Sequence, residues 1–388
     1  MAVSSGVFII LAIVLSVSRT GIICVLAILL FYIYCRYIQK NRRFKKLFWI
    51  IAVIGGLLFF FFLIYLKKDS ASGRLLIWEV TFNMIKDNPV LGTGVGSFNS
   101  DYMLYQAVYF EDHPDSDSGI LADNVLHPFN EFLLLAVEYG IIGLLLAIVG
   151  LFYIMRNAKN KLSPYYLTLL SILVFSCFSY PLKYPFVWVM FILSVAKLSN
   201  RNKAIFSFNC NSLITKIGYI PILVLSMIIL FKDIRFEYKW KETVRLSSLG
   251  KIDSVIIDYG NLYSHWNKNS LFLYNYGAEL NHIKDYPKSL DILHQCEKYF
   301  NDYDVQMLLA DNYSNLNKFD ESERHYQLAL NMCPNRFLPL YQVMKIYDRR
   351  GQSGDAIRTA KIIINKEIKV PSTTVTKIKI DAQKRIES

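Results

Sequence analysis

Uncharged apolar runs separated by short basic clusters constrain this chain more than any other feature. Residues 47–66 form an uncharged run of twenty, matching the ~20 that a helix needs to cross the hydrocarbon of a bilayer. Backbone in lipid has no water to bond, so such a run predicts a helix whose hydrogen bonds close within the segment. Further runs at residues 3–17, 21–35, 132–155, 165–180, 186–196 and 217–231 bring the expected number of spans to about seven. Apolar residues make up 53% of the 388 positions, too many for one soluble domain of this size.

The basic clusters set the orientation. Arg36, Lys40, Arg42, Arg43, Lys45 and Lys46 follow the second run, Arg156, Lys159 and Lys161 the fourth, and Lys197, Arg201, Lys203 and Lys216 the sixth. Placing each cluster inside makes the N-terminus cytoplasmic, puts residues 67–130 outside as a large loop, and leaves everything after residue 232 outside. The net charge of +12 is then a topology signal. No basic stripe interleaved with aromatics accompanies it, which excludes a nucleic-acid partner. An apolar start with no preceding basic region argues against a cleaved signal peptide. Cys24, Cys35, Cys177, Cys210, Cys296 and Cys333 show no metal or redox spacing. Cys296 and Cys333 would share an oxidising compartment, where a disulfide between them can form.

After Lys232 the polarity becomes that of a soluble domain, so two domains are expected, residues 1–232 and 233–388. Leu309, Ala310, Tyr313, Ser322, Tyr326, Ala329 and Pro334 fit the ~34-residue tetratricopeptide pattern. Tyr347 and Ala356 stand one period beyond Tyr313 and Ser322, and Gly277 and Ser289 form a weaker earlier copy. Small residues let paired helices approach, and aromatics fill the gap to the next pair. About three repeats are expected over residues 270–369, after a less regular lead-in with Trp240 and Trp266 and before a capping helix or loose tail. The expected fold is all-α: a polytopic membrane helix bundle followed by an extracytoplasmic helical repeat domain.

Residues 73–143 concentrate the groups that carry chemistry. Arg74 and Trp78 are four apart, one face of a helix; an interfacial amphipathic helix is the plainer reading. Asn88-Pro89 followed by Gly92, Gly94 and Gly96 is a turn that lets backbone approach closely, and it lacks the strand and acidic partner of a nucleotide fingerprint. Asp115-Ser116-Asp117 has metal-binding spacing but the composition of a solvated turn. Pro128 suits the first position of a helix, which would make His127 its N-cap and hold the imidazole neutral beside the helix's positive end. Neutral imidazole is the form of a general base; a capping histidine with a structural ion pair is the alternative. Asn130, Glu131 and Glu138 follow, and Glu138, inside an apolar run, needs a partner such as Arg19, Arg74 or Lys183. Arg19, at an external break between two runs, either binds an anion bidentately or snorkels to lipid headgroups.

Ser18-Arg19-Thr20-Gly21, Arg74 with Trp78, Asn-Pro-x-x-Gly-x-Gly at residues 88–94, and His127 with Asn130 occur in the order found in the O-antigen ligase and polymerase superfamily, which this chain resembles over residues 16–197. The resemblance implies a metal-independent, cofactor-free membrane glycosyltransferase of the bacterial inner membrane, with its C-terminal domain periplasmic. It would move a glycan from an undecaprenyl diphosphate carrier to a hydroxyl of lipid A core, a growing polysaccharide or a protein. His127 would be the base, and Arg19 and Arg74 would hold the diphosphate. Trp78, Gly92, Gly94, Gly96, Asn130, Glu131, Glu138 and Lys183 would support them. The family usually separates His from Asn by nothing, whereas Pro128 and Phe129 intervene here. Members usually have about a dozen spans, so the chain corresponds to the later part of that plan: either a fragment or one of two polypeptides. A non-catalytic membrane scaffold presenting its repeats is the alternative function. The repeats' concave surface suits a protein partner, and their removal is expected to change acceptor use more than donor handling.

Overall fold

The computed structural model describes residues 11, 12, 15, 18–39, 42–66, 68–199 and 213–388. The expected first span, apart from positions 11, 12 and 15, and Cys210 lie outside the described residues. Within them the chain is helix, turn and loop with no strand, so the all-α expectation holds. Contacts divide it into two units, residues 1–98 with 125–203, and residues 99–124 with 204–388.

The first unit contains α1 (Arg19–Ile33, continued by a π turn over Tyr34–Ile38), α2 (Arg42–Leu66) and α3 (Lys68–Asp87). After the excursion through residues 99–124 come α5 (Glu131–Asn157), α6 (Pro164–Ser176) and α7 (Pro185–Ser199). Among the described residues, Arg19–Ile38 and Glu131–Asn157 are long and apolar enough to cross a membrane; α6 and α7 are apolar but shorter. Seven spans are therefore not distinguished here; two are. The first helix of the α6–α7 hairpin stops at Ser176, before either proline of the turn. Pro181 opens a short 3-10 turn, Pro181–Lys183, and Pro185 starts α7.

The fourth apolar run departs from its expected continuous helix. Gly140 interrupts α5 with φ 66° and ψ −174°. A break inside an apolar helix strands backbone groups that need new partners. The turn at residues 89–94 supplies them. Thr93 N donates to Val137 O at 2.9 Å and Gly94 N to Glu138 O at 3.0 Å, while Ile141 N donates to Pro89 O at 2.8 Å and Ile142 N to Val90 O at 3.4 Å. This backbone stitch leaves no room for side chains. A Cβ on Gly92 would lie 2.5 Å from Gly140 N, and one on Gly140 would lie 2.2 Å from Val90 O; both glycines have positive φ.

The second unit contains α4 (Ser97–Asp112, from its third residue on), a 3-10 turn at Asp117–Ile120, and α8 (Leu213–Ser248). The helix α8 runs straight through the expected boundary at residue 233. The polarity changes there, but no Gly or Pro accompanies the change, and helix propensity persists. Next comes α9 (Ile252–Trp266), then three helical pairs: α10 (Ser270–His282) with α11 (Tyr286–Glu297), α12 (Tyr303–Asn315) with α13 (Phe319–Met332), and α14 (Leu338–Arg349) with α15 (Ser353–Asn365). The small residues read from the sequence sit at the closest contacts. Ser289 Oγ donates to Gly277 O and Ser322 Oγ to Ala310 O, each at 2.7 Å. Residues after Lys369 form a cap, α16 (Thr373–Glu387), started by Ser372, whose Oγ accepts from Val375 N. Its Ile378 and Ala382 are buried with Phe337, Met344 and Ala360. Cys296 and Cys333 are free, buried thiols, each packed in its own helix pair rather than joined.

Gly92→Ala and Gly140→Ala are expected to lower the thermal unfolding midpoint in detergent. Each should cost at least the ~1–2 kcal/mol that a left-handed conformation imposes on a residue with a Cβ. Gly150→Ala, whose Cβ would meet nothing within 4 Å, should leave the midpoint unchanged or raise it. Equal midpoints in all three would show the stitch to be dispensable.

Candidate functional site

The chemistry-bearing residues of the first unit gather around the segment that enters α5. Asn130, not His127, caps that helix. Its Oδ1 accepts from Phe132 N at 2.9 Å and Leu133 N at 3.2 Å, so α5 starts at Glu131. Phe129 has φ 53°, and a left-handed residue directly after Pro128 prevents a helix from starting there. His127 therefore precedes the helix by several residues, and its electrostatics come from elsewhere.

Two residues of α3 pin this segment, as their shared helix face allows. Trp78 Nε1 donates to Pro128 O at 2.9 Å. The Arg74 guanidinium lies 5.0 Å from the centre of the Phe129 ring and donates to Phe178 O at 3.0 Å. That second bond ties α3 to the α6–α7 hairpin. Arg74 is partly buried, and both burial and the charge of Arg19 lower its guanidinium from the usual value. Arg19 itself donates to Ser70 Oγ at 2.5 Å.

Tyr180 fills the centre of the cluster. Its ring lies 4.5 Å from His127 and 5.4 Å from Phe129, centre to centre. Lys183, from the same hairpin, places Nζ 2.8 Å from His127 Nε2. An ammonium only donates, so Nε2 must be the accepting nitrogen and the neutral ring carries its proton on Nδ1. Burial, and then the Lys183 charge, bring the His127 pKa down to about 4. The imidazole is neutral near pH 7 as expected, but burial and a lysine cause this, not a helix end.

Glu138 bonds a backbone donor where a cation was expected, and Glu131 does the same. Glu138 Oε1 accepts from Gly96 N at 2.8 Å, and Glu131 Oε1 accepts from Leu182 N at 2.9 Å. Both carboxylates thus satisfy backbone donors of bent segments: Glu138 holds the glycine turn, and Glu131 the hairpin that carries Lys183. Gly92 and Gly94 take part through the stitch with α5, and Gly96 through Glu138. Outside this cluster, Ser116 caps the 3-10 turn through Ser118 N at 3.3 Å, which gives Asp115-Ser116-Asp117 a structural use. Among the described residues no group of three or more His, Cys, Asp or Glu is arranged to hold a metal ion.

Tyr180, Phe129 and Phe178 were not legible as site residues. Phe129 carried no signal, since a left-handed conformation is disfavoured for a bulky side chain. Tyr180 carried only its place beside Pro181.

The arrangement defines a class: a basic, aromatic-lined site where guanidinium, ammonium and neutral imidazole converge beside apolar helices, suited to an anionic substrate with an ionisable hydroxyl. Residues 5–148 match the Wzy_C family, described as O-Antigen ligase, a membrane-associated family of glycan-transfer type. The resemblance to O-antigen ligases read from the sequence is thereby shown for that segment. The match includes Arg19, Arg74, His127 and Glu138 and ends before Tyr180 and Lys183. No curated protein matches the chain. Among solved structures, MamA 41-end from Desulfovibrio magneticus RS-1 is similar at 17% identity over 38% of this chain and 76% of that one, with a TM-score of 0.32. A further crystal structure of MamA is similar at 14% identity over 37% of this chain and 90% of that one, with a TM-score of 0.32.

Removing the Lys183 charge should raise the His127 pKa, because the imidazolium then forms without a cation beside it. A titration of ring-labelled histidine by NMR in detergent should show His127 moving up from about 4 in Lys183→Met. An unmoved titration would assign the whole depression to burial.

Proposed function

We propose that the chain is a metal-independent membrane glycosyltransferase that moves a glycan from an undecaprenyl diphosphate carrier to an acceptor hydroxyl at the outer face of the bacterial inner membrane. The observation that carries this reading is that the segment matching the ligase family holds both the Arg74 and Arg19 guanidiniums and a neutral His127 imidazole, which Lys183, from beyond that segment, caps. The Arg19 charge beside the partly buried Arg74 costs energy that a bound anion offsets. A diphosphate supplies that anion, and bidentate guanidinium contacts suit its geometry.

In this mechanism Arg19, Arg74 and Lys183 hold the donor diphosphate. Lys183 transfers its bond from His127 Nε2 to a phosphate oxygen, which frees the Nε2 lone pair only when donor is present. His127 then takes the proton of the acceptor hydroxyl as its oxygen attacks the anomeric carbon. The bond from that carbon to the phosphate oxygen breaks, its electron pair leaves on the diphosphate, and the anomeric configuration inverts. The cations stabilise the growing negative charge. Trp78, Asn130, Glu131, Glu138 and the glycine turn act by position. A topology of about seven spans, with the basic clusters inside and the repeats in the periplasm, puts this site at the outer face. Lipid A core, polysaccharide and protein hydroxyls all fit the acceptor role.

Single-turnover transfer from a defined undecaprenyl diphosphate glycan should fall on the order of a hundred-fold or more in both Arg74→Ala and His127→Ala. Near-normal rates in both would overturn the assignment. In the native chain kcat/KM should hold down to the acid range and fall as pH approaches about 4, where His127 becomes protonated. In Lys183→Met that limb should move to higher pH.

A further inference from the structure

The second unit holds a segment of its own chain by a dense polar clamp. Residues 119–124 lie along the turns that join successive helical pairs, at residues 297–303 and 332–337. Asn335 Nδ2 donates to three carbonyls of this segment, those of Gly119 (3.4 Å), Ile120 (3.2 Å) and Ala122. The side chain of Asn124 inserts from the other direction. Its Nδ2 donates to Asp302 Oδ2 and Asp304 Oδ2, each at 3.0 Å, and its Oδ1 accepts from Tyr303 N at 3.3 Å. Arg336, stacked 4.3 Å from the Tyr303 ring centre, reaches Asp123 at 2.7 Å. Gln106 of α4, fully buried, donates to Met332 O at 2.6 Å and Asp123 O at 3.2 Å. Asn301 N donates to Asn99 O at 3.1 Å, fixing the start of the same excursion.

Such a pattern is how a protein reads a peptide segment. One amide spans successive main-chain carbonyls, and side-chain pockets select particular residues. The selectivity is chemical. The twin carboxylates of Asp302 and Asp304 require a donor, which asparagine supplies and aspartate does not, and Arg336 requires an acid one residue earlier. An Asp-Asn pair following small and aliphatic residues meets both demands.

We propose that the repeat domain's partner is the chain's own external loop: residues 119–124 are a resident peptide ligand of the two inter-repeat turns, recognised through Asp123-Asn124. Tethering makes this ligand effectively concentrated, so it occupies the turns without high intrinsic affinity. His127 follows Asn124 by three residues in the sequence. This inference holds whatever reaction the first unit performs.

Hydrogen exchange read by mass spectrometry on the full chain in detergent tests it. Asn124→Asp is nearly isosteric but sets a third carboxylate against Asp302 and Asp304. It should speed exchange over residues 116–125 by on the order of ten-fold or more while α15 and α16 stay as protected as in the native chain. Adding Asp304→Asn restores a donor to the pair and should recover part of the lost protection. Unchanged exchange in Asn124→Asp would overturn the proposal. So would an equal loss of protection across all three helical pairs, or a double variant no better protected than the single one.

Discussion

The backbone stitch between residues 89–94 and the break at Gly140 underlies the first unit. An apolar helix can lose its regular ladder only where other backbone groups replace the missing partners. Here a glycine turn reaches in from residues 89–94 and closes four hydrogen bonds across the break. Close approach demands glycine on both sides, at Gly92 and Gly140. The consequence for chemistry is indirect but firm. With the turn fixed, Glu138 is spent on Gly96 N rather than on a cation, and the end of α3 is fixed relative to α5.

That allocation leaves the cations poised. Arg74 donates to a neutral carbonyl and lies near Arg19, and Lys183 leans on an imidazole that accepts it. A cation resting on a neutral base suppresses that base until something more negative draws the cation away. Burial first, and then this contact, keep the His127 imidazole neutral.

The second unit is organised by small residues and by polar turns. Ser289 and Ser322 repeat one contact in successive pairs, which sets the helix spacing. The turns between pairs carry the more specific chemistry, and residues 99–124 are seated there. Tyr102, Met103, Ala107 and Phe110 of α4 are buried, and the stretch that follows, rich in Asp and Ser, has little apolar surface of its own. Residues 119–124 are held there by amide and carboxylate bonds.

Much was legible in the sequence because it depends on local pattern. The uncharged runs, the prolines of the hairpin, the repeat period and its small residues gave the all-helical fold, the three helical pairs and the capping helix. The shared face of Arg74 and Trp78 and the ligase resemblance followed from spacing and order, whereas the neutrality of His127 was expected from a helix end and comes from burial and Lys183. Partners across the chain were not legible, since they depend on which segments meet. Asn130 displaced His127 as the cap because Phe129 turns left-handed. Glu138 chose a backbone donor because the broken helix brought one to it, and residues 99–124 joined the repeats because Asn335 and the Asp302–Asp304 pair supply partners that the rest of the loop lacks. Sequence by itself determined the helices and the types of group available for chemistry, as these are set by periodicity and side-chain identity. Only the tertiary structure decided which donor met which acceptor, because backbone groups freed by bends take whatever partner the packing delivers.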